Sequence, residues 1–205
     1  MKDMHDAVVC LDEGFKILGL ALSPEPFLEY LKLLNTWNLA YNLTAIRAPK
    51  AQAARYILDS LAILPWLSGD HVLDVGSGAG VPGIALAIAK PDIAFTLLDS
   101  NGKKTRFLTE VKRSLGLNNV SIVHTRAELY RPSTAFDTIV SCAFSELSQM
   151  IQWTSHLLKK EGIWLAMKGR YPEAELQMLT MPVDTHRYDV PFVDAERCCV
   201  VVQNI

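Results

Sequence analysis

The chain has 205 residues, with 20 Lys and Arg against 22 Asp and Glu, a net charge of −2, and hydrophobic residues make up 50% of it. That length suits one α/β domain with an appendage rather than two ordinary domains. No run approaches the length of a membrane span, and the start Met1-Lys-Asp-Met-His-Asp is too charged for a signal peptide, so a cytoplasmic protein is expected. Cys10, Cys142, Cys198 and Cys199 form no C-x-x-C, which suggests reduced thiols rather than a metal site or a disulfide framework.

The small net charge hides a pattern. Residues 47 to 170 hold 15 basic against 10 acidic side chains, whereas the first 46 residues hold 3 against 6 and the last 35 hold 2 against 6. Basic charge is concentrated where a phosphate-bearing substrate would need it, although ordinary solvated lysines would give the same count.

In chain order, Ser23-Pro24-Glu25 reads as a helix start, with Ser23 as N-cap, followed by Phe27, Leu28, Leu31, Leu34 and Leu39 at helical spacing. Residues 1–65 are expected to be a helical extension. Pro65 and Ser68-Gly69-Asp70 break the chain before an alternating domain over 66–205. Its predicted elements are strand 71–75, helix 83–90, strand 94–99, helix 102–115, strand 120–123, strand 137–141, helix 147–159, strand 162–167 and a short helix 172–179. Strands near 185–190 and 197–203 follow as a terminal antiparallel hairpin. Alternating elements with apolar strands imply an α/β fold, a mostly parallel sheet covered by helices on both faces, with ligands beyond the carboxyl ends of its strands.

Asp74 to Gly83, Asp-Val-Gly-Ser-Gly-Ala-Gly-Val-Pro-Gly, lies at the first strand-to-helix turn. Gly76, Gly78 and Gly80 permit φ > 0 and close approach of a ligand, while Ser77 and Val81 complete the loop. No Gly-Lys-Ser/Thr follows, so a nucleotide triphosphatase loop is not expected. The second strand ends in Asp99, 19 residues beyond Gly80, where a carboxylate can accept both hydroxyls of a ribose. NAD and S-adenosylmethionine both satisfy that. Asp74 favours the latter, because a carboxylate there suits an ammonium group and repels a pyrophosphate. Two structural alternatives stay open: Asp74 tying the loop to its neighbours, and Asp99 capping a helix.

With these residues, the chain resembles the Rossmann-like methyltransferases, and in particular the glucose-inhibited division protein B family. The resemblance rests on Trp37-Asn38, Tyr41-Asn-Leu-Thr44, Ile57-Leu-Asp-Ser-Leu61, the glycine loop ending Pro82-Gly83, and Leu97-Leu-Asp-Ser100. It continues through Gly102-Lys-Lys, Arg106-Phe-Leu, Arg126-Ala-Glu128, Ser141, Ala143-Phe144 and Lys168-Gly169. It implies a class I methyltransferase fold with a seven-stranded sheet, acting with S-adenosylmethionine on guanine N7 of small-subunit (16S) ribosomal RNA, free or in an assembling small subunit. A monomer is expected. Gly76 and Val81 would line the methionine part, Asp99 would hold the ribose, and Ala127 and Glu128 would contact the adenine. The position of Cys142 borders the donor in that family, which usually has arginine there in Ser-Arg-Ala-Phe. Tyr56 is a second departure, standing where relatives commonly have histidine.

Guanine N7 has an in-plane lone pair and no proton, so methylation needs no general base; orientation and preorganised electrostatics must do the work. Ser141 and Cys142, at the end of one strand, are the candidates at the reacting centre. Asn42, Ser141 and Lys168 are candidates for the guanine edge and phosphates, each with a structural alternative as helix cap, loop hydrogen bond or solvated lysine. Trp37, Tyr41, Tyr56 and Phe144 offer rings for stacking, Trp37 being better placed as core. Arg47, Lys50, Arg55, Lys103, Lys104, Arg106, Lys112 and Arg113 form the expected electrostatic footprint on RNA. Lys103, Lys104, Arg106 or Lys168 could replace the missing arginine. Three other readings stand beside this one: a pyrimidine-C5 methyltransferase using Cys142 as nucleophile, a noncatalytic donor-binding RNA or protein module, and an NAD oxidoreductase.

Overall fold

The computed structural model describes residues 2–142 and 144–205; Ala143, part of the Ala143-Phe144 motif, lies outside them. The N-terminal part is helical. α1 (Lys2–Ile17) and α2 (Glu25–Tyr41) are followed by one continuous helical stretch made of α3 (Pro49–Gln52), a π-helical turn (Ala53–Leu58) and α4 (Asp59–Ala62). Pro24, not Ser23, occupies the N-cap of α2, and the Ser23 hydroxyl donates instead to the Glu25 carboxylate. Leu39 does not join the apolar face and is 82% exposed. Asn38 is buried in its neighbourhood because its amide closes the following loop, donating to Thr44 O at 3.0 Å and accepting from Thr44 N at 2.9 Å.

From residue 71 the elements alternate: β1 (His71–Val75), α5 (Gly83–Ala89), β2 (Ala94–Asp99), α6 (Gly102–Leu115), β3 (Val120–His124), β4 (Phe136–Cys142), α7 (Leu147–Thr154), β5 (Leu158–Lys168), α8 (Glu173–Gln177), β6 (Val183–Arg187) and β7 (Cys198–Gln203). The seven strands form one sheet in the order β3-β2-β1-β4-β5-β7-β6. All pairs from β3 to β5 are parallel, and β7 runs antiparallel to both β5 and β6, which gives the expected terminal hairpin. The helix expected over 147–159 ends at Thr154. A short 3-10 turn follows, and β5 begins at Leu158, with Lys159 held by Asp137 at 2.6 Å.

Strand residues alternate between two cores. One face, with Val72, Phe95, Leu97, Val140 and Leu165, packs against α5, α6 and the N-terminal helices in a continuous cluster containing Leu11, Phe27, Leu31 and Ile57. The other, with Leu73, Leu98, Ile139 and Trp164, packs against Leu147 and Met150 of α7. Strand order reverses between β1 and β4, so the crevice beyond Val75 and Cys142 is where a ligand of such a sheet belongs. Among the described residues no helix is long and apolar enough to cross a membrane.

Candidate active site

The glycine loop is pinned from several sides. Gly76 N and Ser77 N both donate to Leu98 O of β2, at 2.8 and 3.1 Å, and Ser77 Oγ donates to Asp74 O at 2.8 Å. Gly76 has φ of +70°, and a Cβ there would meet the Phe144 ring at 2.3 Å, so glycine is required on both grounds. From below, fully buried Tyr30 of α2 donates its hydroxyl to Ala79 O at 2.7 Å. The N-terminal helices thus help to shape the loop.

A cleft of about 380 Å3 opens above this turn, lined by Gly76, Asp99, Lys104, Ala127, Glu128 and Phe144 together with Leu98, Ser100, Thr125, Arg126 and Trp153. Its volume falls in the range of about 300–1,000 Å3 usual for small-ligand sites. Of the residues that sequence reasoning took as donor-binding, the cleft brings together Gly76, Asp99, Ala127 and Glu128, whereas Asp74, Ser77, Gly78, Gly80, Val81 and Cys142 do not line it. Asp99 accepts from Gly78 N at 2.9 Å and from Asn101 N at 2.8 Å, with Lys104 Nζ 3.6 Å away. The helix α6 is capped by Asn101, whose side chain accepts from Lys103 N at 2.9 Å, so Asp99 is not its cap. Phe144 meets Trp153 edge to face, centroids 5.7 Å apart, and both rings line the cleft.

Asp74 lies beneath the cleft rather than on its wall. It is fully buried; its Oδ2 accepts from Gly83 N at 3.0 Å and its Oδ1 has no hydrogen-bond partner among the described residues. Burial pushes this carboxyl up to about 8, opposed by the Gly83 hydrogen bond and reinforced by the Asp99 charge. Tying the loop to α5, the structural alternative, is the role this geometry gives it.

Ser141 does not reach the cleft. Alternation along β4 turns it toward α7, where it is buried and its hydroxyl donates to Met150 Sδ at 2.9 Å. Cys142 points to the opposite face. Its thiol is pushed up to about 12, chiefly by burial and then by the charges of Asp59 and Asp74, with Arg197 opposing. Such a thiol remains protonated and is a poor nucleophile. Asn42 is an exposed C-cap in the left-handed conformation (φ 49°), Lys168 is held by both oxygens of Glu175 at 3.0 and 2.8 Å, and Arg55, Lys103 and Arg106 are exposed. None of these five lines the cleft. Trp37 packs against Tyr41 and Phe107, and the Tyr56 hydroxyl meets Thr44 Oγ1.

Sequence reasoning missed Tyr30, Trp153 and the ion pair between Arg197 and Asp59, whose Nε and Oδ2 lie 2.7 Å apart. Asp59 does stand in the Ile57-Leu-Asp-Ser motif, but its partner is 138 residues away.

A loop with three left-handed glycines, a carboxylate at the end of the neighbouring strand and an Ala-Glu turn just beyond the third strand gather at one cleft, a set of groups that fits an adenosyl methyl donor. Among solved structures, the fold is similar to a SAM-dependent methyltransferase from Aquifex aeolicus (TM-score 0.56, 18% identity, 90% of this chain and 100% of that one). It is equally similar to the N-methyltransferase NodS from Bradyrhizobium japonicum in complex with S-adenosyl-L-homocysteine (TM-score 0.56, 15% identity, covering 83% and 98%). In sequence, the chain is 52% identical over 194 residues to ribosomal RNA small subunit methyltransferase G of Legionella pneumophila (strain Lens), covering 95% of this chain and 93% of that protein. It is 49% identical to the protein of that name from Ectopseudomonas mendocina (strain ymp), covering 93% of each. The family described as rRNA small subunit methyltransferase G matches residues 24–198, and the chain belongs to it.

Proposed function

We propose that the chain transfers a methyl group from S-adenosylmethionine to N7 of a guanine in small-subunit (16S) ribosomal RNA. The observation that carries the reading is the single cleft that unites Gly76, Asp99, Ala127 and Glu128 at the strand-order switch. Bound there, the donor supplies an electrophilic methyl on a sulfonium sulfur. Gly76 and the loop with Val81 would face its methionine part, Asp99 its ribose, and Ala127 and Glu128 its adenine.

Guanine N7 brings its own lone pair, and the residues near the end of β4 match a reaction without a base. Cys142 keeps its proton, Ser141 is spent on Met150, and Lys168 is spent on Glu175. The chain contributes position and exclusion of water, through the pinned loop and the Phe144–Trp153 wall. The pyrimidine-C5 reading lacks support, since burial keeps the Cys142 thiol protonated even with the Arg197 charge opposing. Residues 1–65 act as an extension that buttresses the donor domain over 66–205 through Tyr30. RNA meets the exposed Arg47, Lys50, Arg55, Lys103 and Arg106, so binding should weaken steeply with salt. The acceptor is the RNA or an assembling subunit, met in the cytoplasm by a monomer.

The test is transfer of labelled methyl groups from S-adenosylmethionine to unmodified small-subunit RNA, naked and in 30S particles. Labelled 7-methylguanine is expected. Donor binding with no transfer to either form would leave only a noncatalytic module.

A further inference from the structure

A second cleft, of about 230 Å3, sits on the same rim of the sheet, where β5 and β6 end and β7 begins. It is lined by Tyr171, Arg187, Tyr188, Asp189, Glu196 and Arg197 among others, none of which touches the donor cleft. Three features of it point to a ligand.

The Arg197 guanidinium is fixed in place. Its Nε donates to Asp59 Oδ2 at 2.7 Å and its Nη1 to Glu196 O at 2.8 Å, while Tyr188 steadies the other Asp59 oxygen at 3.0 Å. Its Nη2 makes no hydrogen bond among the described residues, leaving a preorganised donor at the cleft wall. Also on the lining, the exposed ring of Tyr171 carries the Arg187 guanidinium at 5.5 Å from its centroid, two planar surfaces of the kind on which unpaired bases stack. Asp189 and Glu196 are exposed and form no ion pair among the described residues. Those two carboxylates would repel a phosphate held by Arg197, but they accept hydrogen bonds from the amino or imino group of a base. The volume is below that of pockets for drug-sized ligands, about 300–1,000 Å3, and suits one planar base.

We infer that this cleft takes one unpaired nucleobase of the RNA substrate, flanking the guanine that is methylated, stacked on Tyr171 and held by its edge between Arg197 and the Asp189 and Glu196 carboxylates. The inference rests on the RNA reading above. The cleft opens at the end of the sheet where Lys168, Arg187 and Cys198 pair, the end at which the donor cleft also lies.

The test compares methyl transfer to a small-subunit RNA fragment with transfer to versions lacking one base at a time around the methylated guanine. For the wild-type protein, one abasic position should raise the KM for RNA about tenfold, the scale of a lost base–aromatic stack. Tyr171→Ala should raise the KM on intact RNA to the same degree and lose all discrimination at that position, while Tyr171→Phe and donor affinity stay near wild type. Glu196→Gln, a near-isosteric change at an exposed side chain, should also weaken that position. Transfer by Tyr171→Ala and Glu196→Gln with wild-type KM, or an unchanged penalty at every abasic position, overturns the inference and leaves the methyltransferase reading intact. No methyl transfer to any RNA by the wild-type protein overturns both.

Discussion

Asp99 Oδ2 accepts the backbone N–H of Gly78 at 2.9 Å, so the carboxylate at the end of β2 is held by the glycine loop it faces. The same side chain shapes the loop and presents a charge to the cleft. Asp99→Ala should therefore weaken S-adenosylmethionine binding by about 10- to 100-fold, the cost of one to two hydrogen bonds to a charged group. Asp99→Asn should retain part of it. Isothermal titration calorimetry on the two variants checks this, and wild-type affinity in Asp99→Ala would remove Asp99 from the donor site.

Gly76→Ala should abolish measurable donor binding while the protein still folds. Its φ of +70° disfavours any side chain, and the new methyl would run into Phe144 at 2.3 Å. Adding Phe144→Ala relieves only the contact, so the double variant should regain part of the affinity. Equilibrium dialysis with labelled donor measures it; equal affinities in both variants would show that Phe144 does not close over the loop.

Tyr30→Phe should cost about 1 kcal/mol of stability, one buried hydrogen bond, and should lower donor affinity severalfold, because Ala79 O loses its partner inside the loop. Urea unfolding and a donor titration separate the two effects. Lost stability with unchanged affinity would mean that α2 supports the fold but not the loop.

Asp74 makes stability depend on pH in a defined direction. Its carboxyl ionises near 3.8 in the unfolded chain but is pushed up to about 8 in the fold, so between those values the folded state holds the extra proton. The contribution is complete below pH 4 and is lost as pH rises toward 8. Asp74→Asn should flatten that slope and narrow the stability gap between pH 5 and pH 8. Urea midpoints at the two pH values are the measurement, and parallel slopes in both proteins would contradict the assignment.

Cys142→Ala should retain methyl transfer within about threefold, as a protonated thiol is no nucleophile. Iodoacetamide at pH 8 should leave Cys142 unmodified in the folded protein, since its thiol is pushed up to about 12. Loss of transfer in Cys142→Ala, with a covalent RNA adduct in wild type, would revive the pyrimidine-C5 mechanism.

The candidate donor cleft was legible in the sequence because its elements are local. Gly76 and Gly78 declare a left-handed turn, Asp99 ends a strand and Ala127-Glu128 form a turn just beyond the next one, where parallel sheets bind ligands. The placement of the candidate acceptor residues was not, because it is decided by side-chain direction and by distant partners. Ser141 and Cys142 are adjacent, yet the pleat sends one to Met150 and the other toward the N-terminal helices. Lys168 looks like a free cation until Glu175 is folded against it, and Arg197 has no visible role until Asp59 arrives from 138 residues away. The end of α7 was misplaced by five residues because Ser155 to Lys159 carry no helix breaker; pairing of Leu158 with Phe136 overrides their propensity.

The most direct test of the central claim is mass-spectrometric mapping of small-subunit ribosomal RNA from cells with and without this protein. The account predicts one 7-methylguanosine that is present with the protein, absent without it, and restored by the wild-type chain but not by Asp99→Ala. Identical modification in both cells, or a lost methyl group on a pyrimidine, would contradict it.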